Sequence, residues 1–318
     1  MKTEIKAALE KGEKIGALVW YSCEKAAITP SKLRQLFDQH SMRKAKDKDG
    51  NDYFVDFPED IKEKNAFQKA CRLAMTRQNS DEGGNTTDNR RSVVKLIVDG
   101  KDHIAYGVVD LNVESVGENI DPDYSAKVWM EKGSGTVKFD KDHPLVDRIV
   151  AMFNELQQTY TSRDISRITV NALERMHCVS LRPGGGVYFI PVQSSDDLSA
   201  LQNVINAIGA CRMDVFTIGN DNGNTGSLAT SVKSHINDKI EEMKADLADF
   251  RESLVNQSLK GKSANNSLEV RVRRYNELKL KCQVMADALK VKADSLLGDL
   301  DDVGKALSTD LRSLVLAA

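Results

Sequence analysis

From about Thr225 onward, apolar residues recur at steps of three and four: Leu228, Val232, Ile236, Ile240, Met243, Leu247, Phe250 and Leu254. This is the spacing of one helix face, and a helix carrying so long a stripe must bury it. After a polar break at Lys260 to Asn266 (KGKSANN) the spacing resumes through Leu268, Tyr275, Leu278, Cys282, Met285, Leu289, Leu296, Leu300, Val303, Leu307, Leu311 and Leu314. Two stripes joined by a short polar turn pair antiparallel, because each needs an apolar partner and the nearest is its neighbour. At about 1.5 Å of rise per residue the second stripe outruns the first by roughly a dozen residues. Leu300, Val303, Leu307, Leu311 and Leu314 are therefore expected to lie uncovered, facing the body or a neighbouring copy. Gly298 and Gly304 are expected to bend or interrupt the helix there.

Ahead of this arm the periodicity is mixed. Ile15 to Cys23 has strand composition, and Thr29-Pro30 opens a helix with Leu33, Leu36 and Phe37 on one face. MRKAKDKDGND, Met42 to Asp52, reads as an exposed loop. Pro58 is placed in the first turn of a helix that buries Ile61, Phe67, Cys71 and Met75 and ends near Arg77. Gln78 to Asn89 contains no apolar residue and is expected to be a flexible loop. Asp99-Gly100 suits a hairpin turn between Ser92 to Val98 and His103 to Val113. A second hairpin joins Ala126 to Glu131 and Thr136 to Phe139 through KGSG. Helices follow from Asp142-Pro144 and over Ser162 to Met176. Strands at Cys178 to Leu181 and Val187 to Val192, a helix capped at Ser195 to Asp197 and a strand at Met213 to Ile218 complete a ββαβ unit. GNDNGNTG, Gly219 to Gly226, is the expected linker to the arm. The fold class is thus α+β, an antiparallel-sheet-containing body followed by a long C-terminal antiparallel helical hairpin, with regions 1–140, 141–225 and 226–318.

Charge narrows the partners. With 45 basic and 47 acidic residues there is no global field to hold nucleic acid or an anionic membrane, so any such binding is local. No apolar run reaches the ~20 residues of a bilayer span, and Met1 to Lys14 does not resemble a signal peptide, so the chain is expected to be cytoplasmic. Cys23, Cys71, Cys178, Cys211 and Cys282 contain no CxxC pair and are expected to be reduced, mostly buried thiols.

No residue pattern identifies a catalytic centre, cofactor or metal site. His40, His103, His143, His177 and His235 lack metal-ligand spacing. His177 and Cys178, read at the start of a strand, would diverge to opposite faces. Glu59-Asp60 and Asp299-Asp301-Asp302 read as helix-start and surface charges. Gly184, Gly185 and Gly186, beside Arg182, form the most tempting anion contact. In phosphate loops, however, the glycines open a helix, whereas here they enter the strand VYFIPV, which favours a structural turn. Arg43, Lys44, Lys46 and Lys48, then Arg90 and Arg91, then Arg271, Arg273 and Arg274 are local basic patches. Of these, Arg43, Lys44, Arg90 and Arg91 are the nucleic-acid candidates, used with the N-terminal helices and a hairpin as wing.

The string HCVSLRPGGGVYFIP, His177 to Pro191, with a helix pair before it and a capped helix and helical tail after it, resembles an uncharacterised domain-of-unknown-function family of prokaryotes and their viruses. The likeness covers about residues 90 to 260 and implies a prokaryotic or viral origin without transferring a mechanism. The leading expectation is a non-enzymatic assembly protein whose arm drives homo-oligomerisation or docking of another protein. Nucleic-acid binding and phosphate or nucleotide binding at Gly184 to Gly186 remain alternatives.

Overall fold

The computed structural model describes residues 14–81, 90–112, 124–182, 185–220, 222–292, 300–312 and 315. In chain order the strands are β1 (Lys14–Cys23), β2 (Ala27–Ile28), β3 (Lys44–Lys46), β4 (Asp52–Phe54), β5 (Arg90–Asp99), β6 (His103–Asn112), β7 (Ala126–Glu131), β8 (Val137–Phe139), β9 (Tyr160–Thr161), β10 (Val179–Ser180), β11 (Tyr188–Pro191) and β12 (Cys211–Gly219). The helices are α1 (Pro30–Gln39), α2 (Glu63–Asp81), α3 (Pro144–Gln158), α4 (Ser162–Arg175), α5 (Ser195–Ala207), α6 (Asn222–Val255), α7 (Gly261–Leu289) and α8 (Leu300–Lys305). The chain is α+β, with antiparallel sheets and a long C-terminal helix pair. Two compact units are interleaved along it. One gathers the described residues up to Glu24, Phe37–Asp56 and those from Arg167 onward; the other gathers Lys25–Leu36 and Phe57–Ser166.

In the second of these units, strands β5, β6, β7 and β8 form a meander in that order. Both expected hairpins are present, and the Asp99-Gly100 turn is closed by Gly100 N–H donating to the His103 carbonyl at 3.0 Å. Ile104, Val108, Val128 and Met130 alternate onto one face, as the two-residue period of a strand requires. That face packs on Phe67, Ala70 and Cys71 of α2 and on Ile149, Met152 and Phe153 of α3. The Phe67 ring meets Tyr106 and Phe153 edge-on, with centroids 5.8 and 5.7 Å apart. α2 begins at Glu63, several residues after Pro58, and runs on to Asp81 rather than ending near Arg77. Of the loop expected over Gln78 to Asn89, residues 82–89 lie outside the described residues. His143, not Asp142, caps α3, its Nδ1 accepting from Leu145 N–H at 3.1 Å.

The first unit is built around β1. Its sheet runs β10-β11-β1-β12, so the ββαβ unit expected from residues 178 to 218 is completed by a strand from the other end of the chain. Leu18 faces Phe189 on one side and Phe216 on the other. A Cβ at Gly16 would run into the Ile190 carbonyl and lie 2.6 Å from the Phe189 ring, so the close approach of β1 and β11 requires glycine there. β12 lies at the sheet edge, where the Asn206 side chain of α5 accepts from Met213 N–H at 2.7 Å and donates to its carbonyl at 3.2 Å. Capping by a side-chain amide in this way blunts an edge that would otherwise invite another strand.

Three expectations for this unit are corrected. Met42 to Asp52 is not simply a loop: Lys44–Lys46 pairs with Asp52–Phe54. The turn holds because Asp47 accepts from Asp49 and Asn51 N–H, both at 2.9 Å, and Gly50 takes a left-handed φ of 85°. Cys23 and Cys211, expected as thiols, are register partners on β1 and β12 and form a disulfide, whereas Cys71, Cys178 and Cys282 are free and buried. The pairing was hidden because the partners stand 188 residues apart in sequence.

The arm departs from expectation at its end. α6 and α7 pair through the expected stripes, with Val232, Ile236, Ile240, Phe250, Cys282 and Met285 almost fully buried, and Ile15, Val179 and Phe189 of the sheet join the same core. α6 starts at Asn222, inside the segment expected to be a linker. α7, however, stops at Leu289, because Lys290 takes a left-handed φ of 54° and its N–H turns back to the Ala286 and Asp287 carbonyls. The chain then folds onto the hairpin through α8 and a π turn, Ala306–Asp310. Leu300, Val303, Leu307 and Leu311 are thus not an uncovered overhang but 4% exposed or less, in the core shared with α6 and α7. Leu314 lies outside the described residues. Gly304 permits this packing, since a Cβ there would come within 2.5 Å of the Tyr275 hydroxyl.

Candidate functional site

The hairpin of β10 and β11 turns through the glycine-rich segment singled out in the sequence. Leu181 N–H donates to the Val187 carbonyl and Gly185 N–H to the Arg182 carbonyl, each at 3.0 Å. Gly185 and Gly186 sit at φ 84° and 96°, a region that side-chain-bearing residues rarely enter. Gly184 lies outside the described residues. The segment is therefore a structural turn, as its run into a strand suggests.

The turn is also one wall of a cleft of about 520 Å³. Arg182, Gly185 and Tyr188 line it together with Ser231, Ser234, His235, Asp238, Lys239 and Glu242 of α6, Lys281 of α7, Glu174 of α4 and Cys178. The four-residue rhythm of α6 explains its share: Ser231, His235, Lys239 and Glu242 occupy one helix flank beside the buried stripe. Within the cleft Lys239 is tied to Glu242 at 2.7 Å. Lys281, partly buried, makes no hydrogen bond or ion pair among the described residues, and the exposed Arg182 side chain makes none either.

Burial dominates the electrostatics. It pulls the Lys281 ammonium below its ordinary pKa, helped by the charge of Lys239 and opposed by Cys178 and Glu174. Burial, then Lys281 and Lys239, lowers His235 to about 4, so its ring is neutral at neutral pH. Burial raises the Cys178 thiol to about 11, leaving it protonated and a poor nucleophile. His177 is also lowered by burial and by Lys281. It does not begin a strand as expected: at φ 59° it is the left-handed cap of α4, with Cys178 N–H donating to the Leu173 carbonyl at 3.1 Å. His177 and Cys178 line different clefts, so the geometry makes no dyad of them. Among the described residues no cluster of His, Cys, Asp or Glu could hold a metal ion.

The other candidates fall elsewhere. Arg43 is exposed, but Lys44 is held by Asp38 at 2.7 Å with its ammonium 4.7 Å from the Phe54 ring centre. Arg90 and Arg91 open β5 in the other compact unit, and their side chains lie outside the described residues. Arg271 is not a surface cation of the arm: Asp246 binds it at 2.8 Å, and its guanidinium stacks 4.2 Å from the Phe250 ring centre. Arg175 is likewise structural, joining Asp56 and, at 3.0 Å, Asp197. Sequence reasoning reached Arg182 and Gly185 through the glycine run but missed Lys281 and His235, which look like ordinary flank residues of the arm helices.

The sequence model of a family of unknown function, DUF6744, matches residues 14–317. The chain belongs to this family. The match covers every lining residue of the cleft and extends the resemblance seen around LRPGGGVYFIP to the whole arm. No curated protein and no solved structure matches the chain. No helix of the described residues is long and apolar enough to cross a membrane.

Proposed function

We propose that this member of DUF6744 is a ligand-binding protein whose cleft between the glycine turn and the helix pair takes a phosphate-bearing anion. The observation that carries the reading is Lys281, a cation without a protein partner among the described residues, lining the same cleft as Arg182 and Gly185. A partly desolvated ammonium without a counter-charge is costly and gains from an anion arriving between it and a second cation. The turn's Gly185 N–H is spent on the Arg182 carbonyl, so Arg182 and Lys281 supply the charge that would meet the anion. Asp238, Glu242 and Glu174 on the same walls suit the hydroxyl or amine groups of a larger ligand and disfavour bare polyanions. The reading takes the protein as cytoplasmic, of prokaryotic or viral origin, and non-enzymatic.

Thermal unfolding with inorganic phosphate and a panel of nucleoside phosphates tests it. The midpoint rises for the wild type with at least one of these ligands, and Arg182→Ala and Lys281→Met lose that rise. A panel without any shift sinks the proposal.

Homo-oligomerisation through the arm is a second reading, now with different residues. Val272 and Leu280 are 38% and 48% exposed on α7, beside a groove of about 750 Å³ that also holds Tyr275 and Leu307. Light scattering on wild type and on Val272→Ser/Leu280→Ser decides it: a monomeric wild type removes the idea.

A further inference from the structure

Lys281 has features that a simple anion contact does not require. It stands on a 29-residue helix packed into the main core, so its position is fixed by a rigid element. It lines both the 520 Å³ cleft and a neighbouring one of about 880 Å³ that holds Arg175, His177 and Arg274, so it is approachable from two sides. Its near neighbours are a second ammonium, Lys239, the neutral His235 imidazole and the carboxylate of Glu174. Lys239 is engaged with Glu242, whereas no carboxylate among the described residues pairs with Lys281. A lysine shielded from water beside another cation gives up its proton more readily than a surface lysine, and the free amine is a nucleophile.

We propose that Lys281 forms a Schiff base with the carbonyl carbon of a phosphate-bearing aldehyde, the phosphate held by Arg182. This deepens the phosphate-binding reading and rests on it. The Nζ lone pair attacks the carbonyl carbon, the C–N bond forms, and the carbonyl π pair moves to oxygen. A proton passes from nitrogen to that oxygen, with the Glu174 carboxylate and the His235 ring within the same cleft to relay it. A second proton, delivered through the same relay, lets the hydroxyl depart as water; the nitrogen lone pair closes the C=N bond, and the iminium N–H then returns that proton to the relay. Amine and aldehyde become imine and water, with no change of oxidation state.

Pyridoxal 5′-phosphate is the probe. The full chain is incubated with it near neutral pH, reduced with borohydride, digested and mapped by mass spectrometry. Expected is a reduced adduct at Lys281 enriched severalfold over exposed lysines such as Lys62 and Lys305, because the half-buried amine beside Lys239 carries more of its free-base form than a surface ammonium. Inorganic phosphate suppresses the adduct, and pyridoxal without the phosphate labels Lys281 more weakly. Lys281→Arg abolishes the label at that position while keeping the wild-type melting curve in the absence of ligand. Labelling spread over exposed lysines without enrichment at Lys281, in a protein that phosphate still stabilises, overturns the Schiff base and leaves the binding reading standing. Equal labelling by pyridoxal and its phosphate overturns the joint recognition. Loss of both the phosphate shift and the Lys281 label removes inference and function together.

Discussion

Leu307→Ala separates a C-terminal segment folded onto its own hairpin from one reserved for a neighbouring copy. Leu307 is 4% exposed and belongs to the core formed with α6 and α7. Cutting its side chain to a methyl removes three buried carbons, about 2.4 kcal/mol at about 0.8 kcal/mol each. The void left behind adds to that, and buried Leu→Ala changes span about 2–5 kcal/mol, so about 3 kcal/mol is expected. For a domain of roughly 150–250 residues, at about 2–4 °C per kcal/mol, the midpoint falls by about 6–12 °C. Circular dichroism melting at two protein concentrations about tenfold apart supplies the control, since an interface between copies makes the midpoint depend on concentration. A loss below about 1 kcal/mol refutes intramolecular burial at a fully covered leucine. So does a wild-type midpoint that climbs with concentration while the variant's does not.

Two further outcomes follow from the sheet and the cleft. His235 titrates at about 4 in the folded chain against an ordinary 6.5, so between those values the unfolded chain takes up the proton, and stability present above pH 6.5 drains away as pH falls toward 4. His235→Gln flattens that part of the urea-midpoint profile, and an unchanged slope refutes the assignment. Gly16→Ala forces a methyl against the Ile190 carbonyl and costs on the order of 1–3 kcal/mol of overpacking, whereas Gly133→Ala, with nothing within 4 Å of the new methyl, is close to neutral; equal urea midpoints for the two variants count against the tight β1–β11 approach.

What was legible in the chain followed the range of the forces concerned. The hairpins over 92–113 and 126–139 declare themselves because a turn dipeptide and alternating faces act between neighbours, and the α6–α7 pair because its stripes adjoin. The end of α7 does not: Lys290 carries no stop signal of the kind glycine gives, and the apolar spacing runs on through it, so one long helix and a folded-back segment read alike. The site divides the same way. Arg182 and Gly185 share a local motif, but Lys281 becomes part of it only because α7 packs on β1 and β11. Whether a flank lysine faces solvent or a cleft is decided by that packing and not by its sequence neighbours.

The central place of β1 carries a kinetic consequence. It precedes both of its strand partners in the chain, and its last residue meets one 188 positions later. Until β11 and β12 exist and are brought back, an apolar strand with two open edges has nothing native to pair with. Closing so long a loop is slow, and a waiting strand of this kind is prone to wrong pairings. Assembly of the first unit is therefore expected to be gated by the arrival of β1 between its neighbours, with the cleft forming only after that docking, because the turn bearing Arg182 hangs from β11.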